Sequence, residues 1–444
     1  MKIKNICCIG AGYVGGPTMA VIALKCPKIN ITVVDANPEK IKAWNGPLNS
    51  LPVYEPGLSK VVQKVKNKNL FFSNDIKGAI EKSEMIFMAV NTPTKTKGEG
   101  AGMAADLSYV EACAKDIAKY SKSHKIVIEK STLPVRTAEK IKDILEENSN
   151  GINFEILSNP EFLAEGTAIQ DLFKSDRVLI GGDDTPSGQK AVHSLVEIYS
   201  KWIPKEKILT MNVWSSELSK LASNAMLAQR ISSINSLSAL CEKTGAKINE
   251  LSKAIGMDHR IGPHFLKASV GFGGSCFQKD ILNLVYLCNY YGLHEVAEYW
   301  HQVIKINDYQ KDRFAQKVIN YFGGTLEGKK ITILGWAFKA NTNDSRESPS
   351  IYITKKLHES GAILEIFDPM VSSKTILNDI KEYWGIKPND KQIRIIDKIN
   401  VDSLNNDISI ILTEWEEFIH LDYSRTKLFD GRYIITSDQT NYIQ

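Results

Sequence analysis

The sequence predicts an α/β fold in which two doubly wound domains are joined by a central helical region with one long helix. Three observations carry this prediction. An apolar strand, a glycine-rich turn, a helix and a second strand ending in an aspartate follow one another over residues 4–35. The same order returns over residues 329–368, without the three closely spaced glycines. Between these segments, Ser215–Lys243 is the longest helical pattern in the chain.

The first of these segments has the pattern of a Rossmann-like dinucleotide site. The apolar strand Lys4–Ile9 runs into Gly10-Ala11-Gly12-Tyr13-Val14-Gly15, and the next strand, Ile31–Val34, ends at Asp35. Such glycines let a pyrophosphate approach the helix N-terminus, while the carboxylate of Asp35 would bind the ribose hydroxyls. Because an anion there repels a 2′-phosphate, the sequence favours NAD over NADP. A glycine-rich turn without a ligand is the alternative.

Polar loops follow three further predicted strands. These strands and loops are Met85–Val90 with Asn91–Thr94, Ile126–Ile128 with Glu129–Pro134, and Phe154–Leu157 with Ser158–Gly166, which carries Glu161 and Glu165. Ligands of doubly wound sheets bind beyond the carboxyl ends of the strands. Each loop alone could be an ordinary turn, and a glutamate pair at this spacing is usually a solvated helix face. Their succession at one sheet edge favours a wall of a cofactor or substrate site.

We expect the chemistry to centre on the segment Gly271–Asp280, which reads GFGGSCFQKD. A helix is predicted to begin near Gln278, so Cys276 would lie at its N-terminus beside Lys279. Both features favour the reactive thiolate. The alternative is a glycine turn with a small buried cysteine. The charged pair after the cysteine favours a nucleophile, since a purely structural cysteine needs neither charge.

The long predicted helix, with Gly245 as its expected end, is almost uncharged. Between Lys220 and Glu242 its only charged residue is Arg230, so it needs apolar neighbours from another domain or a second subunit. Lys220 and Asn224 lie one turn apart on one face. A glycine-bracketed loop carrying Arg260 follows the helix.

The segment over residues 329–368 predicts a second Rossmann-like domain that holds something other than a dinucleotide. Its strands are Ile331–Leu334 and Ile363–Phe367, with a helix near Ser350–Glu359 and later strands at Ile408–Leu412 and Tyr433–Thr436. Lys339 and Arg346 fall in its first loop, as phosphate-binding cations would. We predict an NAD-binding domain over 1–211, a central helical and dimerisation region with the cysteine loop over 212–328, and a second Rossmann-like domain, which binds a different ligand, over 329–444.

Composition excludes several classes of protein. The chain has 444 residues, 43% hydrophobic and 24% charged, with a net charge of +4, so no nucleic-acid partner is expected. Seven cysteines without C-x-x-C spacing indicate a reducing compartment and no metal site. The uncharged run Asn5–Leu24 superficially resembles a signal peptide, but glycines and Pro17 break it. We therefore expect a cytoplasmic protein that does not associate with membranes.

Six blocks, in order and over nearly the whole length, resemble the UDP-glucose/GDP-mannose dehydrogenase family. They are Ile9–Pro17, Val90–Thr94, Glu129–Thr132, Asn159–Gly166, Ser216–Leu221 and Gly271–Asp280. The chain is most similar to the animal members that act on UDP-glucose. The resemblance implies that UDP-glucose is the substrate and that its primary alcohol is oxidised to a carboxylate in two hydride transfers, with two NAD molecules in turn.

The resemblance also implies roles for individual residues. The catalytic set is Cys276 as the nucleophile that forms a thiohemiacetal and then a thioester, Lys220 and Asn224 as oxyanion-stabilising groups, Glu161 as the acid/base for thioester hydrolysis, and Asp280 and Thr132 as groups that position water. The NAD set is Gly10, Gly12, Tyr13, Val14, Gly15, Asp35, Lys40, Val90, Thr92, Thr132, Glu165, Lys279 and Arg346. The sugar set is Glu161, Phe162, Leu163, Lys220, Asn224, Arg260, Phe265, Lys267, Phe272, Gly273, Phe338, Lys339 and Arg432.

Two further points concern the family pattern. Lys40 stands where some relatives carry arginine, which removes a bidentate contact to the ribose. The resemblance implies at least a homodimer, in which Arg260 reaches the partner's sugar nucleotide, and it leaves a hexamer open.

Three alternative functions remain open on the residues alone. A dehydrogenase for GDP-mannose or a UDP-N-acetylhexosamine would share these motifs, because sugar choice rests on pocket shape. A one-step alcohol dehydrogenase of the 6-phosphogluconate type would leave Cys276 without a purpose. An NAD-sensing scaffold without turnover would leave the whole catalytic set unexplained.

Overall fold

The computed structural model describes residues 2–149, 151–386, 391–399, 404–435 and 442–443. The chain forms two compact units, Met1–Ser223 and Asn224–Gln444. Each unit contains a mostly parallel sheet with helices packed on it. The division into three domains at residues 211 and 328 remains a prediction.

The first unit is organised around a sheet of eight strands. They are β1 (Asn5–Ile9), β2 (Asn30–Val34), β3 (Leu70–Ser73), β4 (Met85–Met88), β5 (Lys125–Glu129), β6 (Phe154–Ser158), β7 (Val178–Gly182) and β8 (Ile208–Asn212). Their order is β3-β2-β1-β4-β5-β6-β7-β8, and neighbours are parallel except for β6 and β7. The strand order reverses between β1 and β4, which is where doubly wound sheets bind ligands.

Helices cover both faces of this sheet. They are α1 (Gly15–Lys25), α2 (Pro38–Asn45), α3 (Leu58–Val65), α4 (Ile76–Lys82), α5 (Ser108–Tyr120), α6 (Thr137–Asn148), α7 (Ala168–Phe173) and α8 (Pro186–Tyr199). The side chains of successive residues in β1 point to opposite faces of the sheet, and both faces are buried. Ile6 and Cys8 join the core formed with α1, α3 and α8, whereas Cys7 and Ile9 join the core formed with α5 and α6.

The second unit repeats this plan with a smaller sheet. Helix α9 (Val213–Thr244) spans the sequence boundary between the units, and it is followed by α10 (Ile248–Gly256), α11 (Phe277–Tyr290), α12 (His294–Tyr321), α13 (Pro349–Glu359) and α14 (Ser373–Asp379). The strands are β9 (Lys330–Leu334), β10 (Ile363–Phe367), β11 (Ile393–Ile395), β12 (Ile408–Ile411), β13 (Lys427–Asp430) and β14 (Tyr442–Ile443). They lie in the order β11-β10-β9-β12-β13-β14, all parallel.

The predicted fold class is confirmed, with one strand placed wrongly. Residues 433–435 do not form the predicted strand, because the side chain of Asp430 at the end of β13 redirects the chain. Its Oδ2 accepts the N–H groups of Ile434 at 2.7 Å and Ile435 at 2.8 Å, so these donors cannot pair with a neighbouring strand. Thr436 lies outside the described residues. None of the helices in the described ranges combines the length and the apolar character that crossing a membrane requires.

Candidate functional site

A glycine turn joins β1 to α1 at the predicted dinucleotide site. Gly10 has a φ of +112°, and a Cβ there would lie 2.2 Å from the carbonyl oxygen of Ala89. A Cβ on Gly15 would lie 2.0 Å from the carbonyl oxygen of Gly10. A Cβ on Gly12, by contrast, would have no neighbouring protein atom within 4 Å. The turn is therefore pressed against the sheet while space stays open beside the N-terminus of α1, which fits a pyrophosphate.

Asp35 follows β2, and its carboxylate is held in place by three donors. It accepts hydrogen bonds from the N–H groups of Ala11 and Asn37, each at 2.9 Å, and from the ammonium of Lys40 at 3.0 Å. Although partial burial acts to raise it, these donors hold the pKa of Asp35 below its ordinary value. The carboxylate is thus an anion at neutral pH, as a ribose-binding group that discriminates against NADP must be. Lys40 contacts this carboxylate directly.

The polar loops after β4 and β5 contact one another, as their position at one sheet edge predicts. The hydroxyl of Thr92 donates to the carbonyl oxygen of Thr132 at 3.0 Å, and Ser131 donates to the carbonyl oxygen of Val90 at 2.6 Å. Three of the predicted NAD residues therefore share one wall.

Glu161, in the loop after β6, is bound by a buried lysine that the sequence reading did not assign. Its Oε2 lies 2.8 Å from Nζ of Lys130, and its Oε1 accepts the N–H of Phe162 at 2.8 Å. Lys130 is 3% exposed. The sequence held one sign of this contact. Lys130 directly follows the buried strand β5, and a lysine that is itself buried needs a polar partner.

The loop that carries Glu161 and Glu165 is not helical, so the two carboxylates do not share a helix face. The ring of Phe162 lies 4.0 Å from the guanidinium of Arg177 and 5.2 Å from Nζ of Lys220. Lys220, on α9, is 8% exposed. The first unit thus brings the predicted residues Glu161, Phe162 and Lys220 together.

In the second unit, Cys276 caps the N-terminus of α11, as predicted, and it is exposed. The other six cysteines, all within the described ranges, are buried. Burial raises the pKa of Cys8 to about 12 and that of Cys26 to about 11. Cys276 is therefore the thiol that a substrate can reach.

The glycines before Cys276 pack against the loop that follows β9. A Cβ on Gly273 would lie 2.4 Å from the carbonyl oxygen of Glu347, and one on Gly274 would lie 2.9 Å from the ring of Phe338. The N–H of Gly274 donates to the carbonyl oxygen of Arg346 at 2.9 Å. Any larger residue at these positions would push the cysteine loop away from the second sheet.

Asn307, a buried residue of α12 that the sequence reading missed, binds the same loop. Its Oδ1 accepts the N–H of Phe272 at 2.8 Å, and its Nδ2 donates to the carbonyl oxygen of Phe272 at 3.0 Å. One amide thus satisfies both backbone groups of a residue in the cysteine loop, much as a neighbouring strand would. An uncharged polar residue within a helix gave no sign of this role.

Asp280, in the first turn of α11, is paired with Asn224 of α9. The Nδ2 of Asn224 donates to Oδ2 of Asp280 at 2.6 Å, and Nζ of Lys279 lies 3.7 Å from the other oxygen. Asp280 is 2% exposed. Two residues that the sequence placed in the catalytic set are therefore in direct contact.

The remaining predicted residues lie in two places in the second unit. Arg432 donates to the carbonyl oxygens of Leu412 at 2.7 Å and Phe338 at 3.0 Å, so its guanidinium supports the loop after β9. Arg346 forms a two-pronged ion pair with Asp344, and Nζ of Lys339 lies 5.7 Å from the ring of Phe338. The surface residues are Arg260, paired with Asp258 at 2.6 Å, Phe265 and Lys267. Within the described ranges, no cluster of three or more His, Cys, Asp or Glu residues is placed to hold a metal ion.

A pair of buried glutamates supports the wall formed by the loop after β5. Glu217 of α9 accepts the N–H groups of Arg136 and Ala138 at the start of α6, each at 2.8 Å. Glu129, at the end of β5, lies against Glu217, and neither of its oxygens accepts a hydrogen bond from a described residue. Burial raises the pKa of Glu129 well above its ordinary value, and the neighbouring Glu217 raises it further. Burial also raises the pKa of Glu217, so we infer that the two carboxyl groups share one proton.

Replacing Glu129 by glutamine should flatten the dependence of stability on pH. Above the ordinary glutamate pKa, the folded protein keeps a proton on this pair, whereas the unfolded chain loses it. This stabilisation is complete below that pKa and is lost as pH rises towards the raised value, by up to about 1.4 kcal/mol per pH unit. A glutamine amide donates to Glu217 without a titrating proton. Urea unfolding of native protein and Glu129→Gln from pH 5 to 8 measures the difference, and equal slopes would contradict the shared proton.

Glu217→Gln is the matched control for this pair. Its amide replaces one of the two oxygens that accept the N–H groups of α6, so it should lower the free energy of unfolding throughout the pH range by about 1 kcal/mol or more.

Comparisons with known proteins identify the family to which this chain is similar. Three models of the UDP-glucose/GDP-mannose dehydrogenase family match the chain: the NAD binding domain over residues 4–203, the central domain over 214–309 and the UDP binding domain over 332–437. The mouse UDP-glucose 6-dehydrogenase is 57% identical over 98% of this chain and 90% of its own. The rice UDP-glucose 6-dehydrogenase 5 is 54% identical, over 99% and 95% respectively. The solved UDP-glucose dehydrogenase of Pyrobaculum islandicum is 30% identical, covers 100% of this chain and 97% of its own, and superposes with a TM-score of 0.87.

Proposed function

The chain belongs to the UDP-glucose/GDP-mannose dehydrogenase family, and from this membership we propose that it oxidises UDP-glucose to UDP-glucuronate with two molecules of NAD. The observation that carries the proposal is the exposed thiol of Cys276 at the N-terminus of α11, after a closely packed glycine loop. A dehydrogenase that stopped at the aldehyde would have no use for a nucleophile at this position.

The cysteine lets two oxidations occur on one carbon. NAD, when bound, accepts the two hydrides that leave this carbon, one before and one after the thiol adds to it. Between the two oxidations the Cys276 thiolate adds to the aldehyde carbon and gives a thiohemiacetal, whose oxidation leaves a thioester. Lys220 and Asn224 stabilise the negative oxygen, and one such donor is typically worth about 2.7–4 kcal/mol.

Water then cleaves the thioester. Its oxygen adds to the acyl carbon while Glu161 takes one of its protons, a contribution of about 10²–10⁴-fold for a general base. The C–S bond breaks, the carboxylate is released and Cys276 leaves as a thiolate. Asp280 and Thr132 orient the water.

We propose the same binding sets as the sequence analysis. The open space beside the N-terminus of α1 and the anionic Asp35 support the NAD set. The sugar set holds UDP-glucose, with the cations Lys339 and Arg432 around the loop after β9 suited to the negative diphosphate.

We also propose a homodimer and a cytoplasmic location. Apolar side chains on α9 and just after α10 are exposed, among them Met226 at 54%, Leu240 at 59% and Met257 at 79%. Large apolar side chains with this exposure are typical of a protein interface. The seven cysteines are all free thiols, as expected in a reducing compartment.

The stoichiometry of NADH tests the proposed reaction. Limiting UDP-glucose should yield two NADH per sugar and no free aldehyde, measured by NADH absorbance and by an aldehyde-trapping reagent. One NADH per sugar, or aldehyde trapped in quantity, would contradict the two-step reaction. Parallel assays with GDP-mannose and UDP-N-acetylglucosamine test the choice of substrate. If either were turned over faster than UDP-glucose, it would be the substrate in place of UDP-glucose.

A further inference from the structure

The buried ammonium of Lys130 is saturated by three acceptors. Its Nζ lies 2.8 Å from Oε2 of Glu161, 3.1 Å from Oδ1 of Asn159 and 3.4 Å from the hydroxyl of Tyr199. An ammonium has three donors, so none remains for a ligand. Lys130 is 3% exposed, whereas the side chain of Glu161 is 14% exposed. Of the two side chains, only the Glu161 carboxylate is accessible to a ligand or to water.

The partners of Lys130 are themselves fixed to the sheet. The N–H of Lys130 donates to the carbonyl oxygen of Met88 at the end of β4. Asn159 donates through Nδ2 to the carbonyl oxygen of Leu179 on β7 at 2.7 Å, and Tyr199 of α8 donates to Asn159 at 2.7 Å. The position of the ammonium is therefore set by two strands, β4 and β7, and by helix α8.

The charge of Lys130 is also fixed. Although burial acts to lower it, the carboxylate of Glu161 and the Tyr199 hydroxyl raise the pKa of Lys130 above its ordinary value. The lysine therefore keeps its proton and its three hydrogen bonds at neutral pH.

We propose that Lys130 is a positioning residue for thioester hydrolysis, which holds the Glu161 carboxylate in one orientation towards the attacking water. The inference rests on the proposed role of Glu161 as the base. Lys130 fixes Oε2 and the N–H of Phe162 fixes Oε1, so the carboxylate cannot rotate away. During hydrolysis the proton passes from water to Glu161 and then to solvent, while Lys130 keeps its own protons throughout.

Stability alone does not account for this pair. Burying two charges is often no better for stability than an apolar pair of similar volume. Lys125, at the start of the strand β5 that precedes Lys130, provides a comparison within the chain. It is 1% exposed, and its ammonium donates to the backbone carbonyl oxygens of Ser83 at 2.6 Å and Glu81 at 3.2 Å. A purely structural buried lysine can thus be satisfied without a carboxylate.

The test is to replace Lys130 by methionine, which has a similar shape and no charge. Native protein is first shown to form two NADH per UDP-glucose, and failure there would sink the proposed function. If native protein passes, Lys130→Met should release two NADH per site in a rapid burst and then turn over about 10²-fold more slowly, as expected for a misplaced catalytic group. Intact-mass measurement after an acid quench should show the acyl group retained on Cys276. The KM for UDP-glucose should change by less than about threefold, since the three donors of the Lys130 ammonium are taken by acceptors within the protein.

Two results would overturn the inference while leaving the proposed function standing. One is a turnover rate for Lys130→Met equal to that of native protein, with no acyl adduct on Cys276. The other is loss of the NADH burst, which would show that Lys130 acts in a step before the thioester forms. Lys125→Met is the matched control, and it should lower stability without accumulating the adduct.

A double variant keeps the test valid if Lys130→Met does not fold. Lys130→Met/Glu161→Gln buries no unpaired charge, so it removes the cause of such a failure. Because the lysine acts through Glu161, the double variant should hydrolyse the thioester at the rate of Glu161→Gln alone. A further loss beyond that rate would show that Lys130 acts independently, against the proposal.

Discussion

Cys276→Ser should lower the rate of UDP-glucuronate formation by up to about 10⁶-fold, the loss seen when a catalytic nucleophile is removed from other enzymes. A serine hydroxyl is hardly ionised at neutral pH, so neither the thiohemiacetal nor the thioester forms at a useful rate. The variant should still bind NAD and UDP-glucose, which calorimetry would measure.

The fold should tolerate this substitution. Cys276 is exposed, it occupies the N-cap position of α11, and serine is among the preferred residues there. The thermal midpoint should therefore be equal to or above that of native protein. Cys288→Ser, on the buried side of the same helix, is the matched control: it should lower stability while leaving the rate near the native value. A near-native rate for Cys276→Ser would make this cysteine structural.

Mixing two inactive variants should restore activity if Arg260 serves the neighbouring subunit. Lys220→Ala and Arg260→Ala should each lose about 10²-fold or more alone, since each removes a cation that binds or polarises the substrate. In a two-fold dimer of one chain of each kind, one site has both residues intact and the other has neither. Random mixing should thus recover about a quarter of native activity, because half of the dimers are mixed and half of their sites are intact.

The structure supplies the reason to expect this exchange. The side chain of Arg260 is 78% exposed, and that of Asp258, its partner in an ion pair, is 31% exposed. Met257 and Ile261 beside it are also exposed, so this loop presents an apolar surface with one cation. Co-refolding followed by an NADH assay measures the recovery, with each variant refolded alone as control. No recovery in mixtures that form heterodimers would place Arg260 in its own subunit's site.

The sequence by itself determined the features that are encoded in neighbouring residues. The strand, glycine turn and helix before Asp35 follow one another directly, so a local pattern is sufficient to predict the dinucleotide site. The helix N-terminus at Cys276 was predicted for the same reason, because glycines before it and an apolar run after it specify the boundary. Helix α9 also begins and ends within two residues of its predicted bounds.

Only the tertiary structure decided which distant side chains meet. The contact of Lys130 with Glu161, the clamp of Asn307 on Phe272 and the pairing of Glu129 with Glu217 each join residues far apart in sequence. The misplaced strand after β13 has the same origin, since a side chain of Asp430 took the backbone donors that the apolar pattern assigned to a sheet. Periodicity records which face of an element is buried, but a buried polar group is satisfied by whichever partner the packed chain brings within hydrogen-bonding distance.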